Sequence, residues 1–189
     1  MAKKLKANWG GSDNRCVTIG FFSPDSRENQ QNSCISWMVK SWTNGTRNPA
    51  LCFTHVELRF SDRMVISITN DGIHYEQRVL SSNGYSTFFK IDVSVKQEIE
   101  MKNFAQDIFN QKPAFNWLGL VWNFAPLTNH CAITRKNAYF CTELIVMILQ
   151  KADLFIGAIP YRISPNELFD MCMNEPMCVL TYNKAKMEN

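Results

Sequence analysis

The sequence contains no apolar run long enough to cross a bilayer. Its longest strongly apolar stretches, around LIVMIL and WLGLVW, stop well short of the ~20 residues that a membrane helix needs. A secretory signal is missing too: MAKKLKANWGG carries three lysines but neither an apolar core nor a small-residue cleavage site. The expected location is therefore cytoplasmic. Paired metal-ligand spacing is also lacking. The seven cysteines, at 16, 34, 52, 131, 141, 172 and 178, are odd in number and form no paired CxxC and no CxxH pattern. Reduced thiols in a cytosol-like compartment are expected, with no metal or other cofactor. Charge of one sign is scarce, the net charge being +3 with scattered lysines, so nucleic acid is not an expected partner. Repeats, linkers and low-complexity segments are absent.

What is present suits one domain. At 189 residues and 46% hydrophobic, the chain is long enough for one packed core and too short for two of ordinary size. Residues 1–14 read as a flexible basic leader and 15–189 as a single domain. CVTIGFF at 16–22 is β-branched and aromatic and stops at SPD, which predicts a buried strand. From Asp25, residues Asn32, Cys34, Ile35, Met38, Val39 and Trp42 follow helical spacing up to NGT. Strands are expected at 51–60, 63–69, 72–79 and 86–93, with SDR and NDG as the turns of an antiparallel meander. The run 96–112 is an amphipathic helix with Ile99, Phe104, Ile108 and Phe109 near one stripe, stopped by Pro113. The aromatic segment PAFNWLGLVWNFAPLTNHC fits a buried turn, a short helix or a lipid-facing rim. A core helix then spans FCTELIVMILQKAD. Another opens at Ser164 as N-cap, with Pro165 at its first position and Glu167 completing a capping box, and MCVLTY ends as a strand. The fold class is α+β, a central antiparallel sheet packed against helices.

Period-two geometry on LCFTHVELRF puts Leu51, Phe53, His55, Glu57 and Arg59 on one face. A carboxylate two residues from an imidazole can orient it, or hold it charged beside a thiolate. Taken alone, such a pair is also what a solvated sheet face with cross-strand ion pairs presents. Cys141 opens the core helix, where unpaired N–H groups and the dipole lower a thiol pKa below its free value of ~8.5. By itself Cys141 fits core packing as well, at the end of the inward stripe 141, 145, 148 and 152. Glu143 has a structural explanation as a partner of that dipole, and His130 beside Cys131 reads as a chance neighbour in a loop.

The ordered set HVEL, FNWLGL, FCTEL and SPNEL, spread over residues 50–170, closely resembles the circularly permuted NlpC-type papain-like superfamily, in particular the YiiX-like bacterial proteins and their poxvirus relatives. The resemblance implies a papain-like fold and a Cys-His hydrolase or acyltransferase. Carried over by position, Cys141 is the nucleophile, His55 the general base and later acid, and Glu57 the group that orients the ring, with Ser67 or His74 as substitutes for Glu57. Trp117, Phe140 and Thr142 fall on the substrate side. Two positions depart from the pattern: Thr142 replaces the usual serine, and Asn116 stands where aspartate is common.

A peptide, acyl or lipid-like substrate is expected, handled through a thioester acyl-enzyme. If the protein is viral, the location becomes the host-cell cytoplasm. The resemblance also leaves room for a catalytically silent viral or host-interaction protein on the same scaffold. A lipid-binding module with weak membrane-surface contact is a third reading, resting on the basic leader and the aromatics.

Overall fold

The computed structural model describes residues 14–23, 53–80, 86–124 and 136–183. The helix expected from Asp25 to NGT lies outside them, as do Leu51, Cys52, His130, Cys131 and residues 1–13. Six strands form the main sheet: β1 (Asn14–Phe22), β2 (His55–Arg59), β3 (Met64–Thr69), β4 (Gly72–Gln77), β5 (Ser86–Ser94) and β8 (Cys178–Asn183). Their order is β4-β3-β2-β1-β5-β8, with every pair antiparallel. Two short strands, β6 (Ala114–Phe115) and β7 (Ala138–Tyr139), pair in parallel. Four α-helices complete the described residues: α1 (Val95–Gln111), α2 (Trp117–Phe124), α3 (Cys141–Gln150) and α4 (Pro165–Asn174). The molecule is thus a mixed α/β fold on a six-stranded antiparallel sheet.

The meander holds for β2, β3 and β4 only. Asn70 and Asp71 form the two-residue turn between β3 and β4, and Gly72 takes φ +113°, which only glycine adopts freely. β5 does not continue the meander. It crosses to the far side of β1, which therefore lies at the centre with partners on both edges. β1 begins at Asn14, two residues ahead of the expected start.

One face of the sheet carries the main core. Ile19 and Phe21 of β1, Val56 and Leu58 of β2, Ile66 of β3 and Phe89 of β5 pack against Met101 of α1, Leu144 and Ile148 of α3 and Leu168 of α4. Burial of this many large apolar groups is the main stabilising contribution, each worth about 1.5–3 kcal/mol.

The α1 stripe differs from the expected one. Its buried residues are Glu98, Met101, Ala105 and Ile108, while Ile99 is exposed. The cause is the carboxylate of Glu98. It accepts hydrogen bonds from Arg15 (3.0 Å), the Ser61 N–H (2.7 Å) and the Ser61 hydroxyl (2.9 Å), and Lys102 stands 3.5 Å away. A charge with that many donors is tolerated in the interior, and it rotates the helix so that Ile99 turns outward.

Capping follows the sequence closely. Ser94 and Gln97 form a capping box on α1, and Lys112 in the left-handed conformation closes it before Pro113. Ser164, Pro165 and Glu167 start α4 as expected, with the Ser164 hydroxyl accepting from Glu167 N–H at 3.2 Å and the Glu167 carboxylate accepting from Ser164 N–H at 2.7 Å. Among the described residues no helix is long and apolar enough to cross a membrane.

Candidate active site

His55 and Glu57 occupy the sheet face opposite the main core. In register, Phe22 stands beside His55 and Gly20 beside Glu57. A side chain at Gly20 would press on the Phe22 and Phe88 rings at 3.0–3.2 Å, so the glycine leaves room for these two rings to meet, Phe22 lying beside the His55 ring. Both polar residues are buried. His55 Nε2 lies 3.1 Å from Glu57 Oε1, which leaves Nδ1 as the nitrogen free to face another partner.

That partner is Cys141, the first residue of α3. Its thiol lies close enough to the His55 ring and the Val56 N–H for both to lower its pKa. β3 pairs with β2 only at Leu58 and Arg59. Beyond that point the edge of β2 is free of β3, and the start of α3 packs there. Thr142 Oγ1 lies 3.9 Å from the Cys141 sulfur.

The electrostatics follow from these contacts. Burial raises the Cys141 thiol pKa, but the His55 hydrogen bond and charge, with the Val56 N–H and Thr142, pull it below the ordinary thiol value. Burial likewise lowers the His55 imidazole pKa, and the contacts to Cys141 and Glu57 reverse this, pushing it up to about 10. Glu57 is pulled down against burial, first by His55 and then by Arg78. All three shifts act in the same sense, favouring thiolate beside imidazolium beside carboxylate.

Among the described residues, neither alternative for the third group is hydrogen bonded to the His55 ring. His74 Nε2 pairs with Thr69 Oγ1 at 3.1 Å, and Ser67 is buried on β3 in register with His74. Glu57 is the group on the ring. Sequence reasoning missed Arg78, which follows β4, hydrogen bonds to Glu57 Oε1 through Nη2, and reaches it over β3. No local pattern marks that arginine, because the contact joins strands that are not neighbours in the sheet.

The expected substrate-side residues behave differently from one another. Trp117 is half-buried, and its indole N–H donates to Asn70 Oδ1 at 2.9 Å. Phe140 is fully buried and packs with Leu120, Phe115, Trp117 and Tyr161, and Thr142 is fully buried. In this structure those two support the nucleophile from behind and present no surface.

Glu143 caps the same turn by accepting the Phe140 N–H at 3.3 Å, and burial pushes its carboxyl up to about 7. It is a poorer dipole partner than its position suggests, since one hydrogen bond does not offset its desolvation.

The remaining two motif segments hold this arrangement. The pairing of β6 with β7, extended by the Asn116 N–H to the Tyr139 carbonyl (2.9 Å), lays FNWLGL beside YFC. Asn116 caps α2, its Oδ1 accepting from Gly119 N–H at 2.9 Å, and a Cβ on Gly119 would come within 2.2 Å of the Asn116 amide nitrogen. From α4, the side-chain oxygen of Asn166 accepts the Phe53 N–H at 2.9 Å and so pins the chain two residues before His55. Compared with protein-family models, curated proteins and solved structures, the chain matches none.

Proposed function

We propose that the protein is a cysteine hydrolase or acyltransferase on a papain-like scaffold of the circularly permuted NlpC type, acting on an amide or ester. The observation that carries this reading is the direct Cys141–His55–Glu57 chain, with a depressed thiol next to a raised imidazole. The Cys141 thiolate attacks the carbonyl carbon, and the oxyanion is met by N–H groups ahead of the first rung of α3, the Leu144 N–H to Phe140 carbonyl bond. The imidazolium gives its proton to the departing amine or alcohol, leaving a thioester on Cys141. Neutral His55 then takes a proton from water or another acceptor, whose attack releases the acyl group and restores the thiolate. Glu57 keeps the ring oriented through both transfers. The substrate class, peptide, acyl or lipid-like, belongs to the same proposal.

A catalytically silent protein on the same scaffold is the second reading, and it is favoured by the burial of Cys141, only 5% exposed. A p-nitrophenyl ester separates the two. The enzyme reading predicts a stoichiometric burst with one acyl group mapped to Cys141 by mass spectrometry, lost in Cys141→Ala. Equal acylation of several cysteines, unchanged in Cys141→Ala, would sink it.

A further inference from the structure

We propose that Arg78 is a positioning residue for the Cys-His site, acting through Glu57. The inference rests on the reading of Cys141 and His55 given above.

Glu57 uses a single oxygen for both of its partners. Oε1 accepts from His55 Nε2 and from Arg78 Nη2, while the buried Oε2 has no hydrogen-bond partner among the described residues. A carboxylate held through one oxygen by His55 alone can swing about its terminal torsion. Arg78 adds a second hydrogen bond to the same oxygen and restrains that torsion.

The charged groups around Glu57 are few. His55 and Arg59 share its strand, Arg78 comes from the segment after β4, and Cys141 lies near the His55 ring. Arg59 is directed elsewhere, its Nη2 3.4 Å from Thr18 Oγ1. Gly20, opposite Glu57 on β1, and Phe88 beyond it on β5 bring no charge. Among the described residues, Arg78 is therefore the cation besides His55 that touches the carboxylate, and Glu76, 3.7 Å from its Nε, is a second and exposed anion on it.

The sign of the effect follows from Coulomb's law. Removing a cation raises the proton affinity of every acid near it, so Glu57 and Cys141 both protonate at higher pH. The acid limb of Cys141 reactivity then moves up. Because Arg78 uses one nitrogen on Glu57, a lysine supplies the same charge at the same oxygen.

The test compares wild type, Arg78→Met and Arg78→Lys in the pH dependence of iodoacetamide alkylation of Cys141, read by mass spectrometry, with a thermal melt of each. In Arg78→Met the acid limb shifts up by about one pH unit, roughly tenfold slower labelling at pH 6. Arg78→Lys restores most of it. In a Glu57→Gln background, Arg78→Met shifts the limb much less. An Arg78→Met profile that superimposes on wild type overturns the proposal, as does a loss equal at every pH in both Arg78 variants. In either case a depressed wild-type thiol leaves the Cys-His reading standing. If wild-type Cys141 titrates as an ordinary thiol, that reading fails first and this one falls with it.

Discussion

Cys141 and Cys172 are both buried thiols in the end turn of a helix, yet their acidities move in opposite directions. Cys141 opens α3 and is pulled below the ordinary thiol value by the His55 ring, the Val56 N–H and Thr142, against burial. Cys172 lies in the last turn of α4. Its contact with the Cys178 thiol, its burial and the nearby Glu175 all push it up. Helix polarity has the right sign at both ends, positive beside Cys141 and negative beside Cys172. Polarity alone is insufficient, because Glu143 occupies the same first turn as Cys141 and is nonetheless driven up to about 7. The difference lies in the partners. A buried anion persists where a cation and donors meet it directly, and the helix end contributes only around that.

The largest effect should come from removing that cation. In His55→Ala the contrast between the two thiols collapses. On the hydrolase reading proposed above, any ester turnover falls roughly 10²–10⁴-fold, the range attributed to general acid-base catalysis. Iodoacetamide at pH 6, expected to label Cys141 and spare Cys172 in the wild type, should then label neither preferentially. Selective labelling that survives in His55→Ala would mean that something other than the imidazole activates Cys141.

The same contrast divides two buried carboxylates. Glu98 has both oxygens filled, by Arg15, Ser61 and Lys102, and joins β1, the β2–β3 turn and α1. Glu57 has one oxygen filled and the other without a hydrogen-bond partner among the described residues. Glu98→Ala takes the acceptor from the Ser61 N–H and hydroxyl while Lys102 keeps Asp62 at 2.7 Å, and costs about 1–3 kcal/mol, the loss typical of buried polar groups left unsatisfied. It should leave the pH profile of Cys141 untouched. Glu57→Gln should cost less stability and move that profile. Urea unfolding and alkylation measured on both variants would show whether the two roles separate, and an altered Cys141 profile in the Glu98 variant would blur them.

Much of this arrangement was legible before any coordinates. Ser164, Pro165 and Glu167 marked the start of α4 because capping is a local code, readable within four residues. The period-two pattern put His55 and Glu57 on one face, and the opening of α3 placed Cys141 at a helix start. Glu98 was hidden because hydropathy assigns a glutamate to the outside, whereas three separate segments supply its donors. β5 was misplaced for a related reason: its alternation shows that it is a strand and says nothing of which strand it joins. Arg78 and Asn166 share that difficulty. Each acts across the fold, Asn166 on the Phe53 N–H and Arg78 on Glu57.

Glu143 tests the lesson of the two cysteines at the smallest scale. Its folded pKa of about 7 lies above the ordinary 4.5, so its contribution to stability is fully present below the unfolded value and is lost as pH rises through about 7. Glu143→Gln keeps the side-chain oxygen that accepts the Phe140 N–H and removes the ionisation. Thermal melts of the two proteins should therefore agree near pH 4 and diverge between pH 5 and 8, with wild type the less stable by at most about 3 kcal/mol at the upper end. Curves that run parallel across that range would mean that Glu143 ionises freely at the start of α3. The helix end alone would then suffice to hold an anion there, and the depressed pKa of Cys141 would no longer require His55.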